Sequence, residues 1–511
     1  MNRTVAMGLL FYPRGGSAQV TLYLALALRD AGWTVELLSG SLGHTGDRTH
    51  APTFFGGVAS HPVDYGPAVA DYEQGLDPMA SPVPLHPSYE DRPGVPDRNF
   101  AAVSPELAAH SAEAWTGLIR REMPPFDVAH LHHLTPMADA MRAAAPEAPV
   151  VTHLHGTELK MLDRALRLTG IAALLGTSFG EMADRGAAGL PAQLDGVEGD
   201  DLALALATRW AQWRHTAFWI DCMRGWAAAS DRLVVVGPHD QEEAGRLLEV
   251  DASRTTWIPN GVDLERFVPL ELSPDQRLQR WRRWLVEDPQ AWVEGGVPGS
   301  LGYDDADLGV FTDRDSGAPA PVLMFVGRFT EVKRIPLLIR AYARAREHFD
   351  RAAPLVIWGG FPGEWEGEHP HTVAMDEGVD DVFFVGWRGH DELPEGLACA
   401  DVMVMPSTNE SFGQVFIEAM ACRVPVIAAE AGGTFAFVNV DPHDPNGWLV
   451  APDDLDSLAD AMVDAVNHPA DRAARGASGL DLARAEYSWT TLAERTAGVY
   501  DEVVAGAATA V

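Results

Sequence analysis

The run Asn409-Glu410-Ser411-Phe412-Gly413-Gln414-Val415-Phe416-Ile417-Glu418-Ala419-Met420 constrains the fold of this 511-residue chain more than any other segment. Ahead of it lies an apolar stretch, Asp401-Val402-Met403-Val404-Met405, closed by Pro406-Ser407-Thr408-Asn409, and the run itself opens a helix. A strand, a small-residue turn and a helix start are half of a βαβ unit, which commits the chain to a doubly wound α/β architecture. The same arrangement is an anion site, because unpaired N–H groups and the positive end of the helix dipole meet at one spot. Two carboxylates beside such a site suit an anion that carries hydroxyl groups, since carboxylates accept hydrogen bonds from sugar or ribose hydroxyls.

A basic segment stands upstream. Pro321-Val322-Leu323-Met324-Phe325-Val326 reads as a strand, followed by Gly327-Arg328-Phe329 and Lys333. Both cations fall on the strand-to-helix turn of their own βαβ unit, where ligands of open α/β sheets collect. A single Glu early in a helix is as often a cap as a ligand. Glu410 and Glu418, eight positions apart and paired with Arg328 and Lys333, are a narrower pattern and point to a nucleotide-diphosphate sugar.

Further blocks follow in order: Gly15-Gly16, His153-Leu154-His155-Gly156, Ile258-Pro259-Asn260-Gly261-Val262-Asp263, and, after Glu418, Pro425-Val426-Ile427 and Gly432-Gly433. With these the chain resembles the retaining glycosyltransferases of family 4, the glycosyl transferases group 1 of GT-B type. The resemblance implies an α/β fold of two Rossmann-like doubly wound domains facing a central cleft. Residues 1–263 with 488–511 would bind the acceptor. Residues 264–487 would bind the donor, with 268–320 as an insertion or linker. The cleft would close during turnover about hinges near Asn260–Phe267 and Ser488.

The resemblance also implies roles. Glu418 would accept from the ribose hydroxyls, Glu410 from the donor sugar, and His155 would approach that sugar from the N-terminal domain. Arg328 and Lys333 would neutralise the diphosphate, helped by N–H groups at Phe412-Gly413 and at Gly15-Gly16. The loop Gly386-Trp387-Arg388 would hold the nucleobase, largely through its backbone. A UDP- or GDP-sugar is the expected donor, with no cofactor and no metal, because the cations and N–H groups already offset the diphosphate. No strong general base is among these residues, which suits front-side transfer in which the leaving phosphate oxygen takes the acceptor proton. Two departures stand out: Arg423 where the family usually has Gly, and Thr434-Phe435-Ala436 where an acidic residue is usual.

Composition bounds the rest. The length suits two domains of about 200–250 residues. A formal charge of −35 opposes nucleic acid and anionic membranes. Cys222, Cys399 and Cys422 are widely spaced and read as reduced buried thiols, so a cytoplasmic location is expected. No stretch is apolar enough to span a membrane, and Val5–Phe11 reads as a first buried strand rather than a signal peptide. Partners are expected to be small-molecule donor and acceptor, with oligomeric state open. His132 and His133 read as satisfied strand-end residues. Trp281, Trp284, Trp292, Trp358 and Trp365 read as packing residues.

Local patterns place strands at Val5–Phe11, Thr34–Leu38, 127–131, 149–154, 231–236 and 255–258, then at 321–326, 355–358, 382–385, 401–405 and 424–428. Helices are expected over Ser17–Ala31 with Ser17 as cap, over 105–121 and over 490–504. Residues 43–100 read as loops and short elements, and 160–215 as helical. Arg277–Trp284 reads as a basic amphipathic helix, interdomain rather than membrane-bound. Two other functions share this pattern: a sugar-nucleotide 2-epimerase of the same architecture, and a non-catalytic nucleotide-sugar binder.

Overall fold

The computed structural model describes residues 3–510 apart from 91, 93, 186–193, 195, 314–315 and 411. Ser411 and part of the 160–215 segment therefore lie outside the described residues. The chain divides into two compact units, Met1–Pro259 with Leu492–Val511, and Asn260–Thr491.

In the first unit, β1 (Thr4–Leu9), β2 (Thr34–Ser41), β3 (Ala59–Asp64), β4 (Val128–His132), β5 (Val150–His153), β6 (Arg232–Val235) and β7 (Thr255–Trp257) form one parallel sheet. Its order is β3-β2-β1-β4-β5-β6-β7. In the second unit, β8 (Leu323–Val326), β9 (Leu355–Trp358), β10 (Val382–Gly386), β11 (Val402–Met405), β12 (Val426–Ala429) and β13 (Gly447–Val450) form another, ordered β10-β9-β8-β11-β12-β13. The strand order reverses between β1 and β4 in one sheet and between β8 and β11 in the other. Crevices at such reversals, beyond the C-terminal strand ends, are where open α/β sheets bind ligands. Central strands are apolar runs buried throughout, as in Leu323–Val326, because helices cover both faces.

Two strands escaped the sequence reading. β3 is an edge strand with Pro62 inside it and only Val63 buried, so its pattern is that of a loop. β13 is four residues long and follows a stretch dense in Asp, Pro and Asn. The first long helix spans Gly15–Asp30, not Ser17–Ala31. Ser17 is inside it, its carbonyl accepting from Thr21 Oγ1 at 2.8 Å, and Arg14 holds the capping position without a side-chain bond. Helices Thr157–Leu174, Phe179–Arg185 and Gly199–Ala207 occupy described parts of the long segment after β5.

The Trp-rich insertion is part of the second unit's own core. Helix Pro274–Arg282 passes into a π-helical turn over Arg283–Glu287. Trp281 meets Phe311 at 5.3 Å between ring centroids, and Trp284 meets Trp358 of β9 edge-on at 4.9 Å. Its arginines pair with acidic neighbours, Arg282 with Asp305 and Arg283 with Glu395. A basic helix whose charges are spent on protein partners, and whose apolar face is already buried, has no face left for a lipid surface. No described helix is long and apolar enough to cross a membrane.

The last helix, Trp489–Ala510, runs longer than the sequence pattern indicated. From Leu492 onward it belongs to the first unit, with Tyr500 buried against Trp33 and His130.

Candidate functional site

In the second unit the chemistry gathers where β8 and β11 end side by side. After β8 the chain turns through Gly327 and exposed Arg328, whose side chain has no partner among the described residues. A short helical turn, Glu331–Lys333, then brings Lys333 back to form an ion pair with Glu410, both side chains mostly buried. A backbone bond from Thr408 N–H to Val332 O (3.0 Å) stitches the two loops together.

Glu410 is fixed from behind by Gly432. That residue lies at φ +63°, and a Cβ there would stand 2.4 Å from the Glu410 carbonyl oxygen, so only glycine fits. Gly433 N–H donates to the same oxygen at 2.7 Å. Thr434, one of the departures from the family pattern, is fully buried and donates to Ala429 and Ala431 carbonyls.

Helix Gln414–Ala421 starts after Gly413, which has φ +79°. Phe412 is buried between Phe437 and Tyr487, and its ring anchors the helix start. Glu418, one turn in, is buried and bonds His390 Nε2 through Oε1 at 2.8 Å. His390 was not singled out from sequence; the only signal was its place four residues past Gly386.

The loop Gly386-Trp387-Arg388 presents its parts unequally. Trp387 is 53% exposed, with exposed Phe361 edge-on at 6.3 Å. Arg388 points inward. It donates to Asp288 Oδ2 at 2.5 Å, to the Trp284 carbonyl at 3.2 Å and to the Asp288 carbonyl. Its guanidinium is spent on the fold, which leaves the backbone as what this position can offer a ligand.

In the first unit Gly15 and Gly16 are exposed first residues of their helix, not a turn before it, and nothing crowds the space a Cβ would fill. Their approach is set by Arg14, which donates to Tyr12 Oη (2.9 Å) and pairs with buried Asp97. Burial pushes the Asp97 carboxyl up, but Arg14, His86 and Arg92 hold it below its ordinary range. Nothing in the local pattern marks this pair, whose members are 83 positions apart.

His155 follows β5 and is half-buried, its Nε2 3.0 Å from His132 Nδ1. Its backbone N–H donates to Glu158 Oε1 (3.1 Å), and the other oxygen of Glu158 meets His133 Nδ1 at 3.3 Å. His133 has φ +69°, an uncommon conformation for a residue with a Cβ. Behind this layer His130 bonds Tyr500 Oη through Nδ1. The rings stack in sequence, with His153 and His155 9° from parallel at 4.6 Å. Burial, reinforced by the neighbouring rings, lowers the pKa of His130, His132 and His155 well below the usual histidine range and takes His153 to about 4. His130, His132, His153 and His155 are therefore neutral at pH 7.

His130, His132 and His153 hold ring nitrogens within 4.8 Å of one another, the one described group of such side chains close enough to hold a metal ion. In the second unit, Cys399 and Cys422 are buried thiols. Burial pushes the Cys399 thiol up to about 12 and the Cys422 thiol higher still.

Comparison with known proteins places the chain in a family. Residues 14–266 match the model for Glycosyltransferase Family 4, and residues 320–468 that for Glycosyl transferases group 1. A D-inositol 3-phosphate glycosyltransferase 2 of Catenulispora acidiphila is 32% identical over 282 residues, 54% of this chain and 57% of that protein. A D-inositol 3-phosphate glycosyltransferase of Stackebrandtia nassauensis is 32% identical over 284 residues, 54% and 55% of the two chains. The aligned region thus spans little more than half the length of these curated relatives. Among solved structures, sucrose-phosphate synthase of Thermosynechococcus elongatus superposes with TM-score 0.61 at 19% identity, covering 99% of this chain and 100% of that one. The Anabaena protein HepE, solved with UDP, gives 0.57 at 16% identity, covering 98% and 100%. These likenesses fix the fold as GT-B.

Proposed function

From a chain that belongs to the family 4, group 1 glycosyltransferases, we propose a retaining enzyme that moves a sugar from a nucleoside-diphosphate sugar to a small polar acceptor. The observation that carries this reading is the convergence of Arg328, the Lys333–Glu410 pair and the Glu418–His390 pair on the β8/β11 switch point. A diphosphate needs cations, and a sugar or ribose needs fixed acceptors; this site supplies both within one loop cluster.

Each residue then has a task. Arg328 is a cation free to meet phosphate. Lys333 is held by Glu410 until the donor arrives, when the ammonium turns to the diphosphate and the carboxylate to the sugar hydroxyls. Glu418 accepts from the ribose. The N–H groups at Phe412-Gly413 and at Gly15-Gly16 add donors toward the diphosphate. Charge develops on the leaving diphosphate as the glycosidic bond breaks, and groups already aimed there lower the barrier most. His155 is neutral, so it serves through its carbonyl oxygen or as a hydrogen-bond partner of the sugar, not as a cation. The acceptor proton passes to the leaving phosphate oxygen.

The names of the inositol-phosphate-directed relatives favour a cyclitol or similar polyol as acceptor, on the first unit. UDP in HepE makes UDP-sugars the first donors to try, followed by GDP-sugars. The deciding assay incubates UDP- and GDP-sugars with and without inositol 1-phosphate and inositol 3-phosphate, in EDTA and in magnesium. A glycoside with the donor's anomeric configuration, formed in EDTA, is the expected product. An inverted product sinks retention. An epimerised donor, or no product with any of these pairs, sinks transfer to such an acceptor. Activity restored only by magnesium or manganese sinks metal independence.

A further inference from the structure

The turn Arg283–Gln290 of the insertion holds no proposed site residue, yet it grips the loop that follows β10 at several points. At Gly386, φ +78°, the backbone bridges to Gln290 so closely that a Cβ would stand 2.2 Å from the Gln290 carbonyl oxygen. Two residues on, buried Arg388 is held by the Asp288 carboxylate, the Asp288 carbonyl and the Trp284 carbonyl. Further along, Glu392 accepts from Trp284 Nε1 at 2.8 Å, and Glu395 pairs with Arg283 at 2.9 Å.

The residues between these grips face elsewhere. Trp387 is exposed, and His390 bonds Glu418. The insertion thus fixes one side of the loop and leaves the other for Glu418 and for ligand. A π-helical turn at the gripping point adds a residue relative to α-helical winding, a feature that recurs at functional sites.

We propose that residues 283–290 are a clamp that sets the 386–392 loop against Glu418, with Asp288 as the positioning residue, so that nucleotide affinity and base preference are controlled by a segment outside the donor pocket. The inference rests on the donor reading of this site. Asp288 acts by holding Arg388, hence the backbone that would meet the base and the side chain of His390 that meets Glu418.

The test titrates UDP, ADP and GDP into wild type and Asp288→Ala by calorimetry and measures donor KM and kcat for both. The clamp predicts about tenfold weaker binding of the preferred nucleotide, the worth of one charge-assisted bond partly compensated by the two backbone carbonyls. It also predicts a smaller gap between preferred and other bases, and a raised donor KM with kcat within about twofold. Asp288→Asn, which keeps an acceptor for Arg388, restores most of the affinity. Arg282→Ala, which breaks only the pairs to Asp305 and Glu287, leaves it unchanged. Trp284→Phe keeps the ring but loses the bond to Glu392, and weakens binding in the same direction should Asp288→Ala not fold.

Wild-type affinity in both Asp288→Ala and Trp284→Phe overturns the clamp and leaves the donor reading standing. A fall in kcat with unchanged donor KM also overturns the clamp. Failure of wild type to bind any of the three nucleotides overturns the donor reading, and the clamp with it.

Discussion

At the switch point of the first sheet stand His132 and His155, stacked, neutral and shielded. At that of the second stand Arg328, Lys333, Glu410 and Glu418, charged and in part open to solvent. Both sheets share the same strand reversal, so topology supplies the crevice and side chains decide its use. The histidine layer presents polar rings without net charge, which suits an uncharged face of a sugar or polyol. The ionic layer holds opposite charges in register, which suits a ligand that is itself anion and polyol at once. The difference has a cost on each side. Buried neutral rings lose their state when protonated, and an internal ion pair must open before a ligand can enter.

Acid should separate the two units most. His153 has a folded pKa of about 4 and His86 of about 3, and those of His130, His132 and His155 also lie well below the unfolded value. Between the unfolded value and these lower ones the unfolded chain binds more protons. The stability from keeping the rings neutral is therefore complete above about pH 6.5 and is lost as pH falls toward 4. By pH 5 a ring like His153 forfeits roughly 2 kcal/mol, and five rings act together. Hydrogen exchange on acidification should rise first in β4 and β5, with β8 and β11 still protected. Equal loss in both sheets would erase the contrast.

Next in size, Arg328→Ala and Lys333→Ala should each cut transfer by roughly 3–4 kcal/mol, two to three orders of magnitude. The melting temperature should stay nearly unchanged in Arg328→Ala, whose side chain is exposed, and fall in Lys333→Ala, which leaves Glu410 unpaired. His132→Ala should do the reverse, lowering the melting temperature first. Normal turnover in either cation variant removes the ionic layer from the chemistry.

Glu418→Ala should weaken nucleoside-diphosphate binding by about 1.5–3 kcal/mol, whereas Glu410→Ala should lower turnover more than nucleotide affinity. Calorimetry with UDP and GDP checks both. If the two carboxylates lose affinity alike, the division between ribose and sugar is wrong.

The smallest effect concerns Arg423, which sits at φ +64° in the turn after helix Gln414–Ala421. Its exposed contact with Glu271, at 3.6 Å, contributes little. Arg423→Gly should relieve about 1 kcal/mol of backbone strain and raise the melting point by about 2 °C. No rise would mean the strain is absorbed elsewhere.

The ionic layer was legible in the sequence because its residues fall in short runs beside apolar strands: Arg328 and Lys333 after Leu323–Val326, Glu410 and Glu418 after Val402–Met405. The partners that hold them were not. His390 meets Glu418 from 28 positions away, Asp288 meets Arg388 from 100, and Tyr500 meets His130 from 370. Local pattern carries no record of such pairings, since they arise only when strands take their places in a sheet. β3 was hidden for another reason: an edge strand buries too little to show a period. The departure at Arg423 was visible as a letter, but its meaning lay in a dihedral angle.

The ends of the second unit also touch. Val262 N–H donates to the Tyr487 carbonyl at 2.8 Å, and Val262 bridges to Ser488. The chain therefore enters and leaves this unit through adjacent doorways, and residues 260–491 make a closed excursion from the first unit. Such a segment can be lifted out as a cassette without cutting a strand of either sheet.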